Sequence, residues 1–166
     1  MKGTKIIVSD QPKGVFKECK IVGTPKPGTV MEIDPEVDPV AGAFSWQAYG
    51  TQAASTGRGV GADGDRKVIA VLLENKHEGK TYADAYAAGD RGYLYFPVAG
   101  EELNMIANVA GTGESYVIGD EFMIDDGTGY IIEADSDAEA QPFICLEAQS
   151  ALTADTWIWC LFAGHH

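Results

Sequence analysis

The chain has 166 residues, 45 % hydrophobic and 22 % charged, with a net charge of −13. That length predicts one domain with a substantial buried core. The acidity argues against nucleic acid or an anionic membrane as partner, and no apolar run approaches the length of a membrane span.

The charge is unevenly spread. Residues 1–30 hold six lysines (Lys2, Lys5, Lys13, Lys17, Lys20 and Lys26) against Asp10 and Glu18, a net of +4, and the remainder carries −17. The opening MKGTKIIVSD has only a three-residue apolar patch, Ile6, Ile7 and Val8, too short for a signal peptide. A protein kept in the cytoplasm where it is made is expected. Residues 1–20 read as an extended N-terminal arm, mobile when free. Its Ile6–Val8 patch is suited to edge-strand pairing, and its lysines to an acidic partner.

After the arm come short apolar runs bounded by turn residues. VFKECKIV (15–22) and TVMEI (29–33) read as strands. The stretch 34–66 is a long loop rich in Gly, Ala, Ser and Thr, and loops of that length in compact domains are functional or disordered. Within it Phe44, Trp46 and Tyr49 are spaced like a half-buried strand; they either mark a contact surface or fold back on the barrel. The loop ends in GRGVGADG, where Gly59, Gly61 and Gly64 stand at the spacing of a dinucleotide fingerprint. Such a fingerprint follows a strand and opens a helix. Here it follows a loop and precedes KVIAVLLE (67–74), a buried strand, so no nucleotide site is predicted.

TYADAYAAG (81–89) is the one segment that reads as a short helical turn, with Thr81 as cap and Gly89 as stop. GYLYFPV (92–98), ELNMIANV (102–109), SYVIGDEFMI (115–124), GYIIEA (129–134), PFICLEA (142–148) and TWIWCLF (156–162) read as further strands. Turn signals about every ten residues predict an all-β sandwich or barrel. Three strands follow a glycine and a small polar residue, in PGTVMEI, AGDRGYLYF and IGDEFMI. The glycine permits a positive φ, and the polar side chain bonds the turn's own backbone. In TWIWCLF both faces are apolar: Trp157, Trp159 and Leu161 on one, Ile158, Cys160 and Phe162 on the other. One face therefore fills a barrel, and the other meets a second layer, either the long loop or another subunit.

No catalytic, cofactor-binding or metal-ligating residue is predicted. Cys19, Cys145 and Cys160 form no CxxC pair and read as buried small hydrophobes. His77 stands alone in ENKHEGK, and His165 and His166 end the chain. The Asp-rich stretches 34–39, 125–129 and 133–140 match no EF-hand loop and read as turns. No G-x-S-x-G elbow occurs.

The order of PGTVMEI, a long Gly/Ala-rich loop, VIAVLLEN, KTYADAYAAGDRGYLYFPVAGEELNMIA, YVIGDEFMIDDGTGYIIEA and PFICLEA resembles the capsid decoration, or cement, proteins of tailed bacteriophages. The matching phrases are Asp84–Asp90, Gly100–Glu102, Ile118–Asp120 and Cys145–Ala148, within a likeness over about residues 25–162. The loop 41–64 and the ending WIWCLF depart from the pattern. The resemblance implies a small, β-tulip-like β-barrel over residues 21–166 with loop 35–66. It implies a homotrimer on the outer surface of an expanded virion head, bound to the major capsid protein. There it clamps neighbouring capsomers against DNA pressure, without cofactor or chemistry. On that reading Lys2, Lys5, Ile6, Ile7, Val8, Lys13, Lys17, Phe44, Trp46 and Tyr49 face the capsid, and the arm becomes ordered on it; Trp157, Trp159 and Leu161 make oligomer or core contacts. The alternatives are another viral structural or glycan-binding β-barrel and, more remotely, a β-clip nucleotide hydrolase.

Overall fold

The computed structural model describes residues 5–33, 45–49, 69–109, 113–125, 127–134 and 142–164. The strands in chain order are β1 (Val15–Ile21), β2 (Val30–Ile33), β3 (Ser45–Ala48), β4 (Ala70–Leu72), β5 (Arg91–Phe96), β6 (Glu102–Ala107), β7 (Glu114–Tyr116), β8 (Glu121–Ile124), β9 (Ile131–Glu133), β10 (Phe143–Cys145), β11 (Gln149–Leu152) and β12 (Thr156–Phe162). They close into two barrels, not one. The first runs β1-β3-β2-β4-β5 and the second β10-β12-β6-β9-β8, while β7 and β11 form a separate ribbon. The all-β barrel class read from the sequence is therefore correct.

Alternation within the strands explains how the barrels are filled. In the first barrel Cys19, Ile21, Met31, Trp46, Ala70, Leu72 and Leu94 point inward, with Tyr86 beside them. The residues between them, Val30, Val71 and Tyr95, point out and pack on the second barrel's core of Leu103, Met105, Phe122, Ile131, Phe143, Ile158, Cys160 and Phe162. Strand β4 is thus apolar on both faces because it is buried on both faces. The backbone joins the barrels too. Val30 donates to the Gly129 carbonyl at 2.7 Å, and the Tyr49 carbonyl accepts from the Gly127 N–H at 3.1 Å. Gly129 has φ of 67°, and a Cβ there would lie 2.3 Å from the Val30 carbonyl oxygen, so only glycine allows the approach.

The turn pattern takes in one segment that the sequence reading did not count, Val98–Glu101. Ala87–Asp90, Val98–Glu101 and Val117–Asp120 each close with the fourth residue's N–H on the first carbonyl, at 3.0, 3.1 and 3.2 Å. In each the acidic side chain accepts back from the first residue's N–H, at 2.7, 2.8 and 2.7 Å. The third residue is glycine, with φ of 91°, 92° and 101°. This is the geometry of a type II turn, locked by its own carboxylate.

Three expectations change. The segment 81–89 makes turns rather than a helix: Asp84 accepts from both the N–H and hydroxyl of Thr81, and Tyr86 is drawn into the core, donating its hydroxyl to Leu73. The SYVIGDEFMI run is broken into β7 and β8 by its glycine turn. The boundary expected at residue 20 falls inside β1, which pairs with β5 from Val15↔Phe96 to Lys20↔Arg91.

Candidate partner interface

The N-terminal lead is anchored from Lys5 to Gly14, where a free arm was expected. Ile6 is fully buried in the core shared by the barrels, and its N–H donates to Glu74. Ile7 bridges Leu103 of β6, and Val8 donates to the Glu102 carbonyl. The flanking lysines conceal this in sequence, because Ile6 needs only a one-residue slot between the barrels. The anchor at the other end is Glu101. Its carboxylate accepts from the Tyr95 hydroxyl at 2.6 Å, from the Val98 N–H at 2.8 Å and from the Lys13 N–H. Tyr95 in turn accepts from Gly14 at 2.8 Å. Burial works against the charge on Glu101, but these hydrogen bonds outweigh it and hold the carboxyl below the usual carboxylate range. Burial, reinforced by Glu101, pushes the Tyr95 phenol up to about 12, so it remains a donor.

The aromatic residues expected on the surface are mostly inside. Trp46 is only 3 % exposed because β3 pairs with β1 on one side and β2 on the other. Its ring meets Phe96 edge-on at 5.7 Å, Lys17 lies 5.9 Å above it, and its indole N–H is buried without an acceptor. Tyr49 is half-buried against the shared core. On β12, Ile158, Cys160 and Phe162 fill the second barrel. Trp157 is covered by this chain's own segments: it donates to the Pro27 carbonyl at 2.9 Å and meets Tyr82 edge-on. Trp159 donates to Glu102, and Leu161 is half-buried. Lys2, Phe44, Gly59, Gly61, Gly64, His165 and His166 lie outside the described residues.

The exposed apolar groups lie elsewhere. Val15 and Phe16 at the start of β1 are 65 % and 54 % exposed, with Val98 close by through the β1–β5 pairing. Val117 and Ile118 form the tip of the β7–β8 turn. Lys17 lies on the same face of β1 as Val15, and Phe16 points to the other face, against the Tyr95 ring at 4.9 Å. Sequence reasoning missed these residues because Val15 and Phe16 open a strand pattern that reads as core. Among the described residues, no group of three or more His, Cys, Asp or Glu is arranged to hold a metal ion, and the three cysteines are buried free thiols.

The geometry defines a double-barrel, all-β protein with exposed apolar side chains at the start of its first strand. No protein-family model and no curated protein matches the chain. Among solved structures, the crystal structure of the N base of head fiber gp8.5 of bacteriophage phi29 is similar in fold. The TM-score is 0.51 at 8 % identity, covering 90 % of this chain and 94 % of that one.

Proposed function

We propose that this is a structural protein of a bacteriophage virion that binds the exterior of the expanded capsid and, as a homotrimer, clamps neighbouring capsomers. The observation that carries this reading is the likeness in fold to a phage head fiber base over nearly the whole of both chains. The resemblance in phrasing to decoration proteins supports it, as does the polarity of charge. A lysine-bearing lead faces the partner, and the acidic body faces solvent. Binding, not chemistry, is the activity. The test is cosedimentation with expanded, undecorated heads, combined with the temperature at which those heads release DNA. Saturable binding and a higher release temperature are expected, with light scattering giving three times the 17.7 kDa chain mass. Absence of binding to heads defeats the proposal. A second reading, an anchor for a projecting fibre, is favoured by the neighbour being a fiber base; heads that bind the protein without gaining stability would select it.

A further inference from the structure

A cleft of about 440 Å³ opens between the N-terminal lead and the 3-10 turn Lys76–Glu78 that follows β4. Its apolar walls are Ile7, Leu73, Tyr93 and the exposed ring of Phe16. The volume lies within the range of ligand sites. Lys5, Lys76 and His77 stand around the rim, and among the described residues neither lysine is in an ion pair. The one carboxylate there, Glu74, is engaged by the Ile6 N–H, and Asn75 is engaged by Arg91 and His77.

The backbone beside the cleft has the form of a sheet edge. Ile7 pairs with Leu103 in an antiparallel bridge flanked by two hydrogen bonds, Asn104 N–H to the Ile6 carbonyl at 2.8 Å and Val8 N–H to the Glu102 carbonyl at 3.0 Å. In that pattern the N–H and C=O of the middle residue point away from the partner strand. Ile7 is also one of the residues that line the cleft.

We infer that this cleft is a strand-addition site for an extended peptide segment of a partner protein, one carrying an apolar side chain between carboxylates and pairing with the backbone of Ile7. An unpaired edge offers main-chain affinity, and pockets for alternate side chains give selectivity. The apolar side chain lies between Phe16, Leu73 and Tyr93. The flanking carboxylates reach Lys5 and Lys76, a cationic rim on a molecule whose body repels acidic chains. The proposed function supplies only the identity of the partner, the major capsid protein; the cleft stands or falls separately.

The test is an amide NMR titration of the full chain with a capped hexapeptide alternating glutamate and valine around a central phenylalanine. Saturable shifts are expected at Ile7, Leu73 and Tyr93. Replacing the glutamates by lysines, or N-methylating the central peptide bond, weakens binding by about tenfold or more. The exposed substitutions Lys5→Glu with Lys76→Glu reverse the charge preference, and Phe16→Ala weakens binding while the spectrum stays dispersed. Equal binding of both peptides, or no saturable shift, overturns the inference. The same variants are assayed on undecorated heads. Heads bound equally by variants and parent, with no peptide binding, remove the cleft and leave the capsid role. Peptide binding by a protein that ignores heads does the reverse.

Discussion

Glu101 ties the lead at Lys13 to Tyr95 and to the turn that precedes β6. One buried carboxylate satisfies the Tyr95 hydroxyl and two backbone N–H groups, so its removal leaves three donors without a partner. Glu101→Ala is expected to cost about 2–3 kcal/mol, read as the urea midpoint, because unpaired buried polar groups lose their hydration without replacement. The pH dependence has a definite sign. The folded-state pKa lies below the usual 4.5, so this contribution is fully present above that value and is lost as pH falls through the folded pKa. Glu101→Gln removes the titration, so its stability should fall less steeply than the parent's on the acid side of about pH 4.5; equal slopes in the two proteins would contradict the assignment.

At the scale of the element, the carboxylate-locked turns and the barrel contact at Gly129 separate two costs of losing a glycine. At Gly119 a Cβ meets nothing within 4 Å, so Gly119→Ala carries only the price of a positive φ, about 1–2 kcal/mol. At Gly129 the φ term is joined by a collision with the Val30 carbonyl and the Thr29 methyl. Gly129→Ala is therefore expected to be clearly the more destabilising in urea titration, and the reverse order would remove the claimed close approach. The same distinction governs what could be read from sequence. The glycine turns and most strands were legible because glycine, a following Asp, and β-branched or aromatic runs each have a local cause. Strand β3 was half-legible: the spacing of Phe44, Trp46 and Tyr49 suited a strand, but SWQA is only four residues long and sits in a Gly/Ala-rich stretch, and its strand state comes from β1 and β2 on either side. Trp46 was left open between a contact surface and the barrel's own interior for the same reason, since which face it takes depends on β1 and β2. Strand β11 was hidden for another reason, since QSAL is polar, pairs only with β7 and carries a positive φ at Ala151. Pairings such as the parallel β1–β3 and β6–β9 are long-range, so no local pattern separates one barrel from two.

For the molecule as a whole, the shared core makes the barrels one thermodynamic unit. Val30, Val71 and Tyr95 belong to the first barrel's strands but are buried against the second barrel's interior. Neither barrel can open without exposing apolar surface of the other, which predicts a single cooperative transition. Trp46 reports on the first barrel, and Trp157 and Trp159 on the second. In proteins retaining one reporter at a time, the fluorescence midpoints in urea should coincide. Val71→Ala should lower all of them together by about 2 kcal/mol. Two separated midpoints would show that the barrels melt independently.

Closure of the barrels also bears on mechanics. A tensile load on an open sheet can peel its outermost strand bond by bond, each failing alone. In the second barrel β12 is held by six successive pairs to β6, from Thr156↔Ala107 to Leu161↔Glu102, and by β10 on its other flank. A pull along β12 therefore loads that ladder in shear, with its bonds sharing the force at once. Resistance of this kind is set by the rate of rupture rather than by equilibrium stability.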